Sequence, residues 1–367
     1  MKHICFCHKD IGNLDRGGVC TLFKTLMFGL VERGWQVSCI TQREFKTKNI
    51  TVIRLPKINN YLKYSQAISS VLRDIKPDIA ECSNWRAELI DFSRNKRHLN
   101  TQLIVRSDPS SRTLFGDVHF FKAEKELCQN ADKVLAVSKF AQKDIQEKYH
   151  LDNVRVIYNA IDDNYLSNIG VRNKLSSGFF IKKGKRFFPK NISSFLAKDR
   201  FNIFWCGKPN AMKGFDYLEK IVLAAPKEFA FVINIGRSSH RILWSLKALK
   251  KASFIWDLDK IDQVNILRQC KAFLSTSRVE GFGLALLEAL VLGLPAVANN
   301  YCEVYHEFLP STRLFLVDIT NVNLVLDYLL KLAAYKKQNG LDLRKLPFTK
   351  AKLIYETEQI YRELLNI

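Results

Sequence analysis

The sequence predicts an α/β protein made of two open, largely parallel sheets covered by helices. Three observations carry that expectation. At 367 residues the chain exceeds the usual size of a single domain, so two domains of about 150–200 residues are expected. Short apolar runs of strand length alternate with longer helix-compatible stretches, as parallel strands joined by crossover helices require. The alternation lapses from Asp163 to Arg200 and starts anew at Phe201. The division read from this pattern is 1–170, an irregular basic linker 171–200, 201–345, and a final helical stretch 346–367.

In the first half Lys2–His8 reads as a buried strand, followed by Gly12, Gly17 and Gly18 and a helix over Val19–Val31. Further strands are expected at Gln36–Ile40, Thr51–Leu55, Asp78–Cys82, Thr101–Val105, Lys133–Val137 and Val154–Ile157. Helices are expected over Tyr64–Arg73, around Phe120–Gln129, and over Lys139–Lys148 with Ser138 placed to cap it. No G-x-G-x-x-G with its acidic partner and no G-x-x-x-x-G-K-[ST] is present, so dinucleotide and P-loop sites are excluded.

The second half opens with the strand Phe201–Cys206, a basic glycine-bounded loop from Gly207 to Gly214 carrying Lys208 and Lys213, and a helix over Phe215–Leu223. Two ammonium groups in such a loop suit a diphosphate, because charge-assisted bonds strengthen as a leaving group gains charge. Strands follow at Phe231–Ile235, Ser253–Trp256 and Ala272–Leu274, with a short helix over Asp259–Cys270. Next come Glu280-Gly281-Phe282-Gly283 and an apolar helix over Leu284–Leu292 that carries Glu288. Glycines at a strand-to-helix turn permit close backbone approach, and the first helical turn presents unpaired N–H groups, which suits a phosphate. Glu288, among apolar neighbours, requires solvent or hydrogen-bond donors such as sugar hydroxyls. Pro295–Ala298 and Arg313–Val317 read as strands, Tyr301–Phe308 as helical or loop-like, and Leu324–Tyr335 and Phe348–Leu365 as helices.

Charge and cysteine usage narrow the class. Lys and Arg number 57 against 36 Asp and Glu, a formal charge of +21 that favours polyanionic partners. Nucleic acid is disfavoured, since no zinc-ligand spacing, RNP-like block or helix-turn-helix signature accompanies the charge. Phe179 to Lys190 interleaves four phenylalanines with five basic residues, a composition suited to a bilayer interface or a phosphorylated acceptor. Nine scattered cysteines, Cys5 and Cys7 among them, read as reduced core residues. The first residues read as a strand rather than a signal peptide, and no apolar run of about 18 residues occurs. A cytoplasmic location is therefore expected, with peripheral attachment to the inner face of the cell membrane.

Glu280 and Glu288 within EGFGLALLEAL, closed by Gly293-Leu294-Pro295, resemble the signature of the retaining GT-B glycosyltransferases of family 4. The Gly207–Gly214 loop is similar to the family's phosphate-binding loop, with Lys213 on its lysine and Lys208 in place of its arginine; that exchange keeps the charge and loses the planar fork. Gly17 and Gly18 match the family's double-glycine loop. In place of its histidine after a central strand stands Arg106-Ser107-Asp108-Pro109, so Arg106 or Asp108 is expected to meet sugar or acceptor hydroxyls.

The resemblance implies a GT-B fold, two Rossmann-like domains facing a central cleft, with the last helix crossing back to the N-terminal domain. It implies transfer, with retention and without a metal, from a nucleotide-diphosphate sugar, UDP-sugar or GDP-sugar, to a glycan, lipid-linked or small-molecule acceptor in cell-surface polysaccharide or lipopolysaccharide synthesis. Glu280, Lys213 and Lys208 would be catalytic. Gly17, Gly18, Gly207, Lys208, Lys213, Gly281, Phe282, Gly283, Leu284 and Glu288 would bind the donor. Asp162-Asp163 and Asp257-x-Asp259 are unpersuasive metal ligands. A sugar-nucleotide epimerase or hydrolase, and a non-catalytic nucleotide-sugar or membrane-binding protein, remain as alternatives.

Overall fold

The structure, a computed structural model, describes residues 2–13, 17–96, 99–161, 175, 179–182, 185–187, 192, 196–236, 250–256, 258–309, 311–333 and 346–367. The chain divides into two compact units, one of residues 1–160 with 347–367 and one of residues 161–346.

The first unit is built on seven parallel strands: β1 (His3–Cys7), β2 (Gln36–Thr41), β3 (Thr51–Arg54), β4 (Ile79–Ser83), β5 (Gln102–Ser107), β6 (Lys133–Ala136) and β7 (Val154–Val156). Their order is β3-β2-β1-β4-β5-β6-β7. β4 is buried along its length, whereas the edge strand β3 is exposed at both ends, as expected of a sheet covered on both faces at its centre. Cys5 and Cys7 sit two apart on one face of β1 with their sulfurs 3.9 Å apart. None of the nine cysteines is joined in a disulfide.

Helices α1 (Gly18–Val31), α2 (Tyr61–Ile75), α3 (Ile90–Asn95), α4 (Ser111–Phe115), α5 (Phe121–Gln129) and α6 (Lys139–Tyr149) cover the strands. α1 buries Phe23, Leu26, Met27 and Leu30 on a single face. Asn60 caps α2 by accepting the Lys63 amide, and Ser138 caps α6 by accepting the Ala141 amide, both at 3.0 Å. No pattern in the sequence marks α3 and α4. Both are too short to display a helical period, and Ser110 starts α4 by accepting the Thr113 amide at 3.3 Å.

In the second unit the described elements are β8 (Phe179–Lys182), β9 (Lys185–Phe187), β10 (Phe201–Cys206), α7 (Phe215–Ala224), β11 (Phe229–Gly236), β12 (Ala252–Trp256), α8 (Lys260–Gln269), β13 (Ala272–Ser275), α9 (Leu284–Val291), β14 (Ala296–Asn299), a 3-10 turn (Glu303–Phe308), β15 (Leu314–Val317) and α10 (Val322–Ala333). The strand order is β15-β14-β13-β10-β11-β12-β8-β9. Six strands are parallel, and β8 joins β12 antiparallel with Phe254 opposite Ile181. Part of the stretch read as irregular linker is therefore a hairpin that extends the sheet. Its arms are four and three residues long, too short to show a period in sequence. Ile203, Trp205, Phe231, Phe254, Leu274 and Val297 pack this unit's core with Leu218 and Leu329 of the helices. Both units are Rossmann-like α/β layers.

The final helix, α11 (Lys350–Leu365), belongs to the first unit. It begins two residues later than the apolar pattern suggests, because Thr349 caps it by accepting the Lys352 amide at 3.2 Å. α11 crosses α1 at Gly29, where a Cβ would lie 2.2 Å from Ile354 Cδ1. Two buried carboxylates then fix it. Glu81 of β4 accepts Arg106 Nε at 2.8 Å and the Tyr361 hydroxyl, while Arg106 Nη2 donates to Thr357 at 3.2 Å. Glu358 accepts Trp35 Nε1 at 3.1 Å and Arg33 Nη1 at 2.7 Å. Among the described residues no helix is long and apolar enough to cross a membrane.

Glu81→Ala should destabilise the first unit by about 3–5 kcal/mol, because Arg106, only 1% exposed, keeps a buried charge without its counter-ion. Equilibrium urea unfolding measures this, and an unchanged midpoint would show that the pair does not hold α11.

Candidate active site

In both sheets the strand order changes direction beside the first parallel strand, between β1 and β4 and between β10 and β13. Loops leaving the carboxyl ends of such a pair diverge and leave a crevice, the usual ligand position in open α/β sheets. In the second unit those loops are residues 207–214 after β10 and 276–283 after β13.

The two loops are locked together by contact that excludes any side chain at Gly214. Its φ is 62°, and a Cβ there would lie 1.9 Å from the Thr276 carbonyl oxygen. Thr276 Oγ1 donates to the Lys213 carbonyl at 2.8 Å and accepts Trp205 Nε1 at 2.9 Å. Asn210 Oδ1 accepts the Lys213 amide at 3.0 Å. So held, Lys213 Nζ lies 2.5 Å from Glu280 Oε2. Ser277 Oγ donates to Glu280 Oε1 at 2.7 Å, and the Tyr305 hydroxyl lies 3.5 Å from the same oxygen. Both members of the ion pair are largely but not wholly buried, at 18% and 15% side-chain exposure, so a ligand can still reach them. Lys208 is exposed at the start of its loop. Gly207 packs on Trp205, where a Cβ would meet the ring at 2.9 Å.

Gly283 caps α9 in a left-handed conformation, φ 88°, without a side-chain hydrogen bond to the first turn. A Cβ at Gly283 would lie 2.7 Å from Tyr305 Cε1. Phe282 is buried, edge-on to Phe308 at 5.5 Å, so the Gly281–Leu284 segment offers a ligand mainly its backbone. Glu288, one turn further on, is buried and paired with Lys260 of α8, with Gln263 Nε2 at 3.5 Å from its second oxygen. Asn234 Nδ2 from β11 donates to Gln263 Oε1 at 3.2 Å.

Lys260 and Gln263 are not among the residues that the sequence points to. Their one signal is a three-residue spacing on the first turn of a helix capped by Asp259, which accepts the Asp262 amide at 2.7 Å. The Cys206 thiol at the end of β10 is pushed up to about 11 by burial, with Lys260 and Lys213 lowering it and Glu288 and Glu280 raising it. Both ion pairs thus lie around one strand end.

In the first unit Gly17 and Gly18 are exposed at the start of α1. Gly17 has φ 122° with nothing within 4 Å of a Cβ, so conformation rather than space favours glycine there. Arg106 does not present itself to a ligand: it lies on an interior strand, bound to Glu81 and Thr357. Asp108 is partly exposed, its backbone tied to Asn84 by bonds of 3.2 Å.

At the β1/β4 switch point the Lys9 amide donates to Glu88 Oε2 at 3.1 Å. Burial pushes the Glu88 carboxyl up to about 8, against the lowering pull of Lys9 and Arg86 and with Asp10 adding to the rise. Burial likewise holds the His8 imidazole down at about 4. Among the described residues no group of three or more His, Cys, Asp and Glu is placed to hold a metal ion. Asp162, Asp163 and Asp257 lie outside the described residues, and Asp259 serves as the cap of α8.

Comparison with known proteins agrees with this architecture. Residues 16–165 match Glycosyltransferase Family 4 and residues 195–339 match Glycosyl transferases group 1. The chain belongs to this family of GT-B glycosyltransferases. The O-antigen biosynthesis glycosyltransferase WclY of Escherichia coli is 26% identical over 219 residues, 58% of this chain and 56% of that protein. The match thus spans little more than half of that relative's length. Among solved structures, sucrose-phosphate synthase of Thermosynechococcus elongatus has a TM-score of 0.79 at 14% identity over 100% of both chains. HepE of Anabaena, in complex with UDP and glucose, has a TM-score of 0.71 at 14% identity over 99% of this chain and 100% of that one.

Glu88 sets a pH dependence of known sign. Its folded pKa of about 8 exceeds the ordinary 4.5, so its stabilising contribution is complete below about 4.5 and is lost as pH rises towards 8. Thermal unfolding of wild type should fall relative to Glu88→Gln between pH 5 and pH 8; parallel curves would place an ionised Glu88 in the folded protein.

Proposed function

We propose that the protein is a retaining glycosyltransferase that moves a sugar from a nucleotide-diphosphate sugar, a UDP-sugar in the favoured reading, to a hydroxyl of a glycan or lipid-linked acceptor. The observation that carries this is the pairing of Lys213 with Glu280 and of Lys260 with Glu288 around the end of β10, beside the glycine-capped start of α9. The donor binds in the second unit, and the acceptor is held by the first. The UDP and glucose bound by HepE support the choice of donor, and the O-antigen role of WclY supports a surface polysaccharide or lipopolysaccharide acceptor.

In the reaction the bond from the anomeric carbon to the diphosphate oxygen breaks and the acceptor oxygen bonds to the same face. The acceptor proton leaves with the departing diphosphate. Lys213 swings its charge from Glu280 to that diphosphate as negative charge develops, aided by Lys208 and the amides at the start of α9. Glu280, relieved of part of its counter-ion, faces the positive charge growing at the sugar. Glu288, held in place by Lys260 and Gln263, accepts from ribose hydroxyls. With the diphosphate neutralised by these groups, no divalent cation is required.

Lys213→Ala should raise the barrier to transfer by about 2–4 kcal/mol, as loss of a donor that acts mainly in the transition state does. Glu288→Ala should instead weaken UDP binding. A screen that detects free UDP and glycosylated product together, with calorimetry of UDP binding, separates the two effects, and wild-type turnover in either folded variant removes that residue from the site. The same assay should retain its rate in EDTA; loss restored by magnesium or manganese would overturn metal independence.

The charge of +21 and the basic, phenylalanine-rich sequence from 179 to 190 also support attachment to an anionic membrane surface on the cytoplasmic side, where each basic residue contributes about 1 kcal/mol. In vesicle flotation at modest salt the protein should rise with anionic and not neutral lipid. Substituting Lys182, Lys183, Lys185 and Arg186 by glutamine should reduce this, and indifference to lipid charge would exclude it.

A further inference from the structure

Five cationic side chains from four strand ends line one pocket in the first unit. Lys9 follows β1, Arg43 follows β2, Arg54 closes β3 with Lys57 just beyond it, and Arg86 follows β4. The pocket lies at the carboxyl edge of the sheet, beside the β1/β4 switch point, and encloses about 340 Å³. That is room for one sugar residue with a charged substituent.

Like charges gathered so closely repel one another, and the pocket offers little to offset them. Asp10 is the single carboxylate in its wall, and Arg43 already holds it through Nε at 3.1 Å and Nη2 at 3.0 Å. Among the described residues no ion pair engages Arg54, Lys57 or Arg86. Glu88 lies buried below, bound to the Lys9 amide, with its carboxyl pushed up by that burial.

Arg86 adds an independent sign of a missing partner. It adopts φ 61° and ψ 12° inside a short 3-10 turn, a left-handed conformation rare for a residue with a side chain. Backbone outliers of this kind persist where surrounding structure enforces them, and they gather at ligand sites. Its guanidinium stacks over Trp85 at 5.5 Å and Phe120 at 5.8 Å, while its Nε is buried without a hydrogen-bond partner. A donor held in place by two rings and lacking an acceptor is arranged for an anion. The planar forks of the arginines match phosphate and carboxylate oxygens in pairs.

We propose that this pocket binds an oxyanion, phosphate or carboxylate, carried by the acceptor, so that the protein glycosylates an acidic sugar or sugar phosphate. The inference rests on the reading that a sugar donor occupies the second unit and the acceptor the first. It assigns Arg54, Lys57 and Arg86 as acceptor-specificity residues.

The test is calorimetric titration of the full chain, saturated with UDP so that the donor site is occupied, with glucose 6-phosphate, glucuronate and glucose. The charged sugars should bind at least about ten-fold more tightly than glucose, and added salt should weaken them but not glucose. Arg54→Gln and Lys57→Gln, both at exposed positions where folding is spared, should each lower the affinity for the better charged probe by about ten-fold without changing that for UDP. Preference for glucose 6-phosphate assigns a phosphoryl acceptor, and preference for glucuronate assigns a carboxylate one.

The proposal is overturned if glucose binds as tightly as the charged sugars, if no charged sugar binds while UDP does, or if both variants bind like wild type. Absence of UDP binding would instead count against the donor reading, and the same titrations without UDP then still decide the anion pocket.

Discussion

The close approach of Gly214 to the Thr276 carbonyl is the constraint on which the second unit's chemistry depends. It brings the loop after β10 against the end of β13, two strands adjacent in space and far apart in sequence. Lys213 precedes that contact by one residue and Glu280 follows it by a few, so their ion pair is set by backbone geometry rather than by side-chain reach. A flexible lysine would otherwise sample many positions, and binding would have to overcome that freedom. Trp205 secures the arrangement from below, donating to Thr276 from within the core. Core packing and charge placement are thus one structure viewed from two sides.

Carboxylates do three different jobs in this chain, and surroundings rather than residue type decide which. Glu81 is sealed, with an arginine and a tyrosine satisfying both oxygens, and it holds a helix. Glu280 and Glu288 are paired with lysines whose long side chains can turn aside for a ligand. Glu88 accepts only from backbone, and burial pushes its carboxyl up to about 8. A sealed pair stabilises, a pair open at one side can be exchanged for substrate, and a neutral acid leaves neighbouring cations uncompensated.

The parts of this architecture that were legible in sequence are those written in contiguous residues. Strands such as Phe201–Cys206 and the glycine-bounded turns after them declare themselves by apolar runs and by residues that tolerate unusual dihedrals, and two Rossmann-like layers follow. What escaped was written across the chain. Lys260 of α8 meets Glu288 of α9 only because the fold brings the starts of two helices together, and nothing within either stretch announces it. Arg106 follows a central strand much as a ligand-facing residue would, yet the partner that buries it lies on α11. The left-handed turn at Arg86 and Ala87 lacks the glycine that would have marked it. The pocket beside it draws on four strand ends, each carrying an unremarkable basic residue.

The return of α11 to the first unit has a consequence for how the chain is made. Tyr361 bonds to Glu81 across a separation of 280 residues, and the second unit, 161–346, lies wholly between the two portions of the first. During synthesis the intervening unit therefore emerges complete while the earlier one still lacks the helix that covers α1 and gives Glu81 and Arg106 their hydroxyl partners. Until that helix arrives, an apolar face around Gly29 and a buried ion pair stand partly open to water. Of the two units, the one whose strands are translated earlier thus receives its closing helix later, and it is the one that a chaperone would have longer to recognise.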